Sequence, residues 1–98
     1  KGAKGALLVY DVTRKSTFAE LPKWIQETEE ALGTRIPIIL LANKVDLVDD
    51  RVITTEMGEH FVQEYGLSGY LETSALTGQN VDKAFHLLAQ ATISHPVQ

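Results

Sequence analysis

Pro37-Ile38-Ile39-Leu40-Leu41-Ala42, running straight into Asn43-Lys44-Val45-Asp46, is the stretch that decides the fold. Its apolar part shows no polar alternation and is far too short to cross a bilayer, so it reads as a strand buried on both faces. A strand of that kind belongs to a parallel sheet covered by helices. Two further segments have the same character: Ala6 to Val12, and Tyr70 to Thr73. The three are bounded by Gly, Pro, Asn or Ser, as strands are.

Between and after these strands lie three stretches with helical spacing. Phe18, Leu21, Ile25, Thr28 and Leu32 form the apolar series of the first; Met57, Phe61 and Tyr65, with Val62 alongside, form the second; Val81, Ala84, Phe85 and Leu88 form the third. Thr17 and Glu20 have the spacing of a capping box, but Pro22 lacks the amide that a helix interior must donate. The expectation is a loose turn at Thr17 to Glu20 and a regular helix starting near Pro22. Gly33 and Gly66 stand where left-handed caps end helices. Strand and helix alternate three times, which implies right-handed crossovers and a three-layer α/β sandwich with a parallel sheet.

Composition narrows the function. Ninety-eight residues make one domain at most, and nine Lys and Arg against thirteen Asp and Glu leave a net charge of −4. That sign disfavours nucleic acid and anionic membrane surfaces as partners. Without cysteine there is no disulfide, thiolate metal site or Cys nucleophile, a usage that suits the cytoplasm. No apolar run is long enough to span a membrane. His60, His86 and His95 lack ligand spacing, so no metal site is expected on them. Trp24 reads as core or interface, and the clusters Glu27, Glu29, Glu30 and Asp49, Asp50 read as solvated surface.

Ligands of parallel α/β folds bind beyond the carboxyl ends of the strands, so the residues after each strand carry the functional information. Those after the second are Asn43-Lys44-Val45-Asp46, and those after the third include Ser74-Ala75-Leu76-Thr77-Gly78. The two oxygens of an ionised Asp46 match the fork of N1–H and exocyclic amino group on guanine. Adenine presents a lone pair there and lacks the amino group, which leaves the carboxylate unsatisfied. Lys44 can lay its methylene stem along the base with its ammonium near ribose or phosphate oxygens, while Asn43 can touch the purine N7 or brace the loop. The Ser74-Ala75 turn supplies a backbone N–H for guanine O6, and Leu76 covers the second face of the base. Asp11 fixes the loop after its own strand. The plain alternatives are a surface Asx turn for Asn43 to Asp46 and a local backbone bond for Ser74.

Val9-Tyr10-Asp11-Val12-Thr13, the Trp24 helix, Leu41-Ala42-Asn43-Lys44-Val45-Asp46-Leu47, Glu64-Tyr65-Gly66-Leu67 and Glu72-Thr73-Ser74-Ala75-Leu76-Thr77-Gly78-Gln79-Asn80-Val81 together resemble the Ras-like small GTPases, the Rab branch most nearly. The resemblance spans roughly Ala3 to Thr92 and implies the P-loop NTPase fold. It makes Asn43, Lys44 and Asp46 the guanine-specificity motif and Ser74, Ala75 and Leu76 the second base-contacting loop. Leu76 replaces the Lys usual after Ser-Ala, which predicts a modest weakening of nucleotide binding. GTP or GDP is the implied ligand, with Mg²⁺ in the intact protein, and effectors and exchange factors are the implied partners.

Other family motifs are absent. No Gly-x-x-x-x-Gly-Lys-Ser/Thr run is present to cradle phosphates, no aspartate has glycine three places on, and the switch threonine segment is missing. Residues 1–98 therefore read as the C-terminal portion of a single small GTPase domain, with no catalytic residues for hydrolysis of its own. The strand Ala6 to Val12 needs neighbours on both sides, so the missing N-terminal half or a self-associated copy is an expected partner. Two other classes fit less well. A receiver-like phosphoacceptor domain would use Asp11, Lys44 and Ser74, but in the wrong chain order and without an acidic cluster for Mg²⁺. A nucleotide-free interaction scaffold would pair its sheet edge with a partner strand.

Overall fold

The computed structural model describes residues 5–74 together with Asp82, Lys83 and His86. The order of elements is β1 (Ala6–Asp11), α1 (Lys15–Ala19), α2 (Leu21–Leu32), β2 (Ile38–Asn43), a short 3₁₀ turn (Val48–Asp50), α3 (Thr55–Tyr65) and β3 (Gly69–Glu72). The sheet is parallel throughout, in the order β1-β2-β3. Each strand falls within one or two residues of the segment expected from its apolar run. Backbone pairing also outlasts the regular strands, because Val12 N–H donates to the Asn43 carbonyl at 3.1 Å and Thr73 N–H to the Ala42 carbonyl at 2.7 Å.

Every residue of β2 except the last is buried, as its unbroken apolar run requires. Tyr10, Val12, Ile38, Leu40 and Ala42 form one face of the sheet, and Leu21 and Ile25 of α2, Phe61 of α3 and Ile53 close over it. Phe18 of α1 stacks edge-on against Tyr10 with ring centroids 5.0 Å apart, and against Phe61 at 5.5 Å. Leu7, Ile39, Leu41 and Leu71 form a second cluster on the opposite face. In the register Ala6↔Ile38 through Asp11↔Asn43, β1 lies at one end of the described sheet, and Val9 is 53% exposed. Only Tyr10 of β1 and no residue of β3 is buried, so β2 alone meets the expectation of a strand buried on both faces.

The helices depart from expectation in instructive ways. Thr17 caps nothing in capping-box fashion; it lies inside α1, where its hydroxyl donates to the carbonyls of Arg14 and Asp11. A five-residue helix replaces the loose turn, and α2 begins at Leu21 with Pro22 in its first turn, where a missing amide costs nothing. Gly33 and Gly66 adopt φ of 71° and 65° as helix caps. The N-terminus of α3 is capped by Thr54, whose hydroxyl oxygen accepts from Met57 N–H at 3.2 Å. The apolar faces are buried less deeply than their spacing implied, since Leu32 and Met57 are exposed, and Trp24, expected in core or interface, is 54% exposed. Of the expected third helix, Asp82, Lys83 and His86 are helical and exposed, while the apolar series Val81, Ala84, Phe85 and Leu88 lies outside the described residues.

Candidate functional site

Two chain corners meet at the carboxyl edge of the sheet. The first leaves β2 at Asn43 and turns through Lys44, which takes a left-handed φ of 69°. A non-glycine residue in that region is uncommon and bends the chain sharply. Leu47 N–H donates to the Lys44 carbonyl at 3.1 Å, which closes the turn. The second corner leaves β3 at Glu72 and passes through the buried residues Thr73 and Ser74.

Among the described residues, hydrogen bonds tie the corners together. Val45 N–H donates to the Thr73 carbonyl at 3.3 Å. The Thr73 hydroxyl donates to Asn43 Oδ1 at 3.1 Å. The Ser74 hydroxyl donates to Asp46 Oδ1 at 2.7 Å. The Asp46 residue is exposed, so its carboxylate is held in place by a buried hydroxyl while remaining open to a ligand. A carboxylate offers about four lone-pair sites, and one serine hydroxyl uses one of them.

Lys44 reaches across to the first strand. Its Nζ lies 3.0 Å from Asp11 Oδ2, and Asp11 Oδ1 accepts from both the Thr13 amide at 2.9 Å and the Thr13 hydroxyl at 2.7 Å. Burial alone would raise the Asp11 carboxyl, but the Thr13 hydroxyl and amide and the Lys44 ammonium outweigh it and hold it below its ordinary value. Asp11 therefore fixes the loop after β1, as expected, and in addition anchors Lys44. Among the candidate residues, Asn43, Lys44, Asp46 and Ser74 converge on this edge; Ala75 and Leu76 lie outside the described residues.

Behind the second corner stands a polar cluster that sequence reasoning missed. Glu72 Oε2 accepts from Arg51 Nη2 at 2.6 Å, from the Tyr70 hydroxyl at 2.8 Å and from the Thr55 hydroxyl. The Arg51 guanidinium is the largest influence and, with the two hydroxyls, outweighs burial to draw the Glu72 carboxyl down to about 2. Burial and this acceptor push the Tyr70 hydroxyl up, so it stays a donor. The signal was present in the sequence: Tyr70 and Glu72 are two apart on a strand and share a face, and a charge there needs a partner. Thr73, which braces Asn43, was also missed. Among the described residues no three His, Asp or Glu side chains gather as metal ligands, and no helix is long and apolar enough to cross a membrane.

A parallel α/β sheet with its polar corners gathered beyond the carboxyl ends of the strands is an architecture that places its ligand site at that edge. The Ras family model matches residues 1–94. Similar proteins include the Ras-related proteins RABA4a and RABA4b of Arabidopsis thaliana and Rab11A of Lotus japonicus. RABA4a is 48% identical over 85 residues, 87% of this chain and 37% of the relative. RABA4b is 44% identical over 88 residues, 90% of this chain and 39% of the relative. Rab11A is 46% identical over 85 residues, 87% of this chain and 37% of the relative. The chain belongs to the Ras family, and its sheet and helices are a part of the small GTPase fold. It spans less than half the length of these relatives.

Proposed function

We propose that this chain carries the base-recognition portion of a guanine-nucleotide site, and that the protein it belongs to is a GTP/GDP switch of the Rab kind acting in membrane traffic or signalling. The observation that supports this best is the 2.7 Å hydrogen bond from Ser74 to Asp46, which joins the two corners proposed to form the base pocket. Asp46 accepts the guanine N1–H and amino group, Lys44 lies along the base, Asn43 braces the pocket, and Ser74, Ala75 and Leu76 form its far side. The side chains suit that ligand, because an exposed carboxylate oriented by one hydroxyl keeps acceptor capacity for a two-donor fork.

Phosphate and Mg²⁺ handling belong in this reading to other parts of the intact protein, and so does hydrolysis, since phosphoryl transfer depends on positioning those groups. Effectors and exchange factors are the proposed macromolecular partners. The receiver-like alternative loses ground because Ser74 is turned to Asp46, while Asp11 is taken up by Thr13 and Lys44.

Competition of GDP and ADP against a fluorescent guanine nucleotide tests the reading. GDP is expected to displace the probe at concentrations at least about a hundredfold below those of ADP, the discrimination a hydrogen-bonded site achieves against an analogue lacking its donors. Equal displacement would overturn the assignment.

A further inference from the structure

The loop that carries Asp46 is bridged to one short segment at both of its ends. Asp46 begins it and is bonded by Ser74; Arg51 ends it and is bonded to Glu72, two residues before Ser74. Between the anchors little holds the loop down, because Leu47 and Val48 are 41% and 73% exposed and Asp49 and Asp50 are exposed as well. Its 3₁₀ turn has no side-chain cap. The Arg51 end is built more heavily. Arg51 Nε donates to the Ile53 carbonyl at 2.7 Å, and the amides of Val52 and Ile53 both donate to the Val12 carbonyl, at 2.8 and 3.0 Å. The Arg51 and Glu72 side chains are only 20% and 26% exposed. Their attraction is therefore less screened by water.

From this closed ring we infer that Arg51 and Glu72 are a positioning pair for the base site, and that the pair sets how long a guanine nucleotide stays bound. The inference rests on the reading of Asp46 as the guanine acceptor. Neither residue touches the base in that reading. They act through the loop, by limiting the positions from which the Asp46 carboxylate can meet its ligand, and small misplacement of a binding group is costly. Selectivity between bases belongs to the carboxylate itself, so the pair governs residence time and not base choice. The low value of the Glu72 carboxyl keeps the pair charged throughout the neutral range.

The test is release of a fluorescent GDP analogue from the full-length polypeptide, chased with excess GDP. Glu72→Gln and Arg51→Ala should each speed release by about tenfold, with the preference for guanine over xanthine unchanged. The double variant, Arg51→Ala with Glu72→Gln, should release nucleotide within about threefold of the faster single variant, since each substitution breaks the same bond. Arg51→Lys, which keeps the charge but not the planar fork, serves if the truncated variants fold poorly, and should give an intermediate rate. Unchanged release from the folded fraction, with only a lower melting temperature, would show a merely structural pair and overturn the inference. A double variant whose acceleration is the product of the two single effects would do the same, since the residues would then act independently. If the parent shows no preference for guanine over adenine, it is the underlying reading of Asp46 that fails.

Discussion

The Ser74 hydroxyl donates to Asp46 Oδ1 at 2.7 Å, across 28 residues of chain, and so joins two turns that follow separate strands. The donor is buried and its acceptor is exposed. An arrangement of that kind orients a surface carboxylate without withdrawing it from a ligand.

Ser74→Ala removes this donor and leaves the carboxylate to rotate. A hydrogen bond to a partly exposed group contributes on the order of 1 kcal/mol, so guanine-nucleotide affinity should fall by about fivefold. Isothermal titration with GDP checks it. An unchanged affinity would mean that the bond plays no part in presenting Asp46.

Asp11→Asn keeps an acceptor for Thr13 but abolishes the ion pair with Lys44. A pair whose lysine is half exposed contributes about 1 kcal/mol or less, so the thermal midpoint should hardly move. Nucleotide affinity should drop by roughly threefold, in keeping with an interaction of that size, because the Lys44 side chain is no longer steered along the base. A large loss of stability with normal binding would contradict this division.

Glu72 predicts a specific acid response. A carboxyl lowered on folding contributes stability that is fully present above its unfolded value and lost as pH falls through its folded value. For Glu72 that window runs from the ordinary 4.5 down to about 2. Urea unfolding of the full-length polypeptide should therefore show Glu72→Gln destabilised at pH 6 by about 2 kcal/mol, the scale of a charged hydrogen bond, with the difference shrinking toward pH 2. A difference that stayed constant over this range would exclude Glu72 as the titrating group.

Gly58 of α3 tests the packing beneath the site. A Cβ there would come within 2.4 Å of Tyr70 Cε1 and 2.7 Å of the Tyr10 hydroxyl oxygen. Tyr10 is 1% exposed and has nowhere to go. Gly58→Ala, ordinarily favourable in a helix, should instead destabilise by about 1–3 kcal/mol through overpacking. Urea midpoints of parent and variant decide the sign.

The parts legible in the sequence were those fixed by local chemistry. Unbroken apolar runs located Ile38–Asn43 and its neighbours, and Gly33 and Gly66 ended their helices at left-handed caps. Asn43, Lys44, Asp46 and Ser74 could be assigned to one edge because parallel strands put their carboxyl ends together. Tertiary contacts hid the rest. Thr17 has the spacing of a cap, yet a carbonyl of the adjoining strand engages its hydroxyl within α1. The bond between Arg51 and Glu72 joins residues 21 apart, and no local pattern announces such a partner. The left-handed turn at Lys44 was equally invisible, since lysine is not a residue whose presence signals positive φ.

In the proposed site the Asp46 carboxylate is the group that selects guanine. Competition binding of GDP and xanthosine diphosphate to the parent and to Asp46→Asn tests it most directly, because an amide pairs with the N–H and carbonyl of xanthine where a carboxylate pairs with two donors. Preference is expected to pass from guanine in the parent to xanthine in the variant; the same guanine preference in both is incompatible with that role for Asp46.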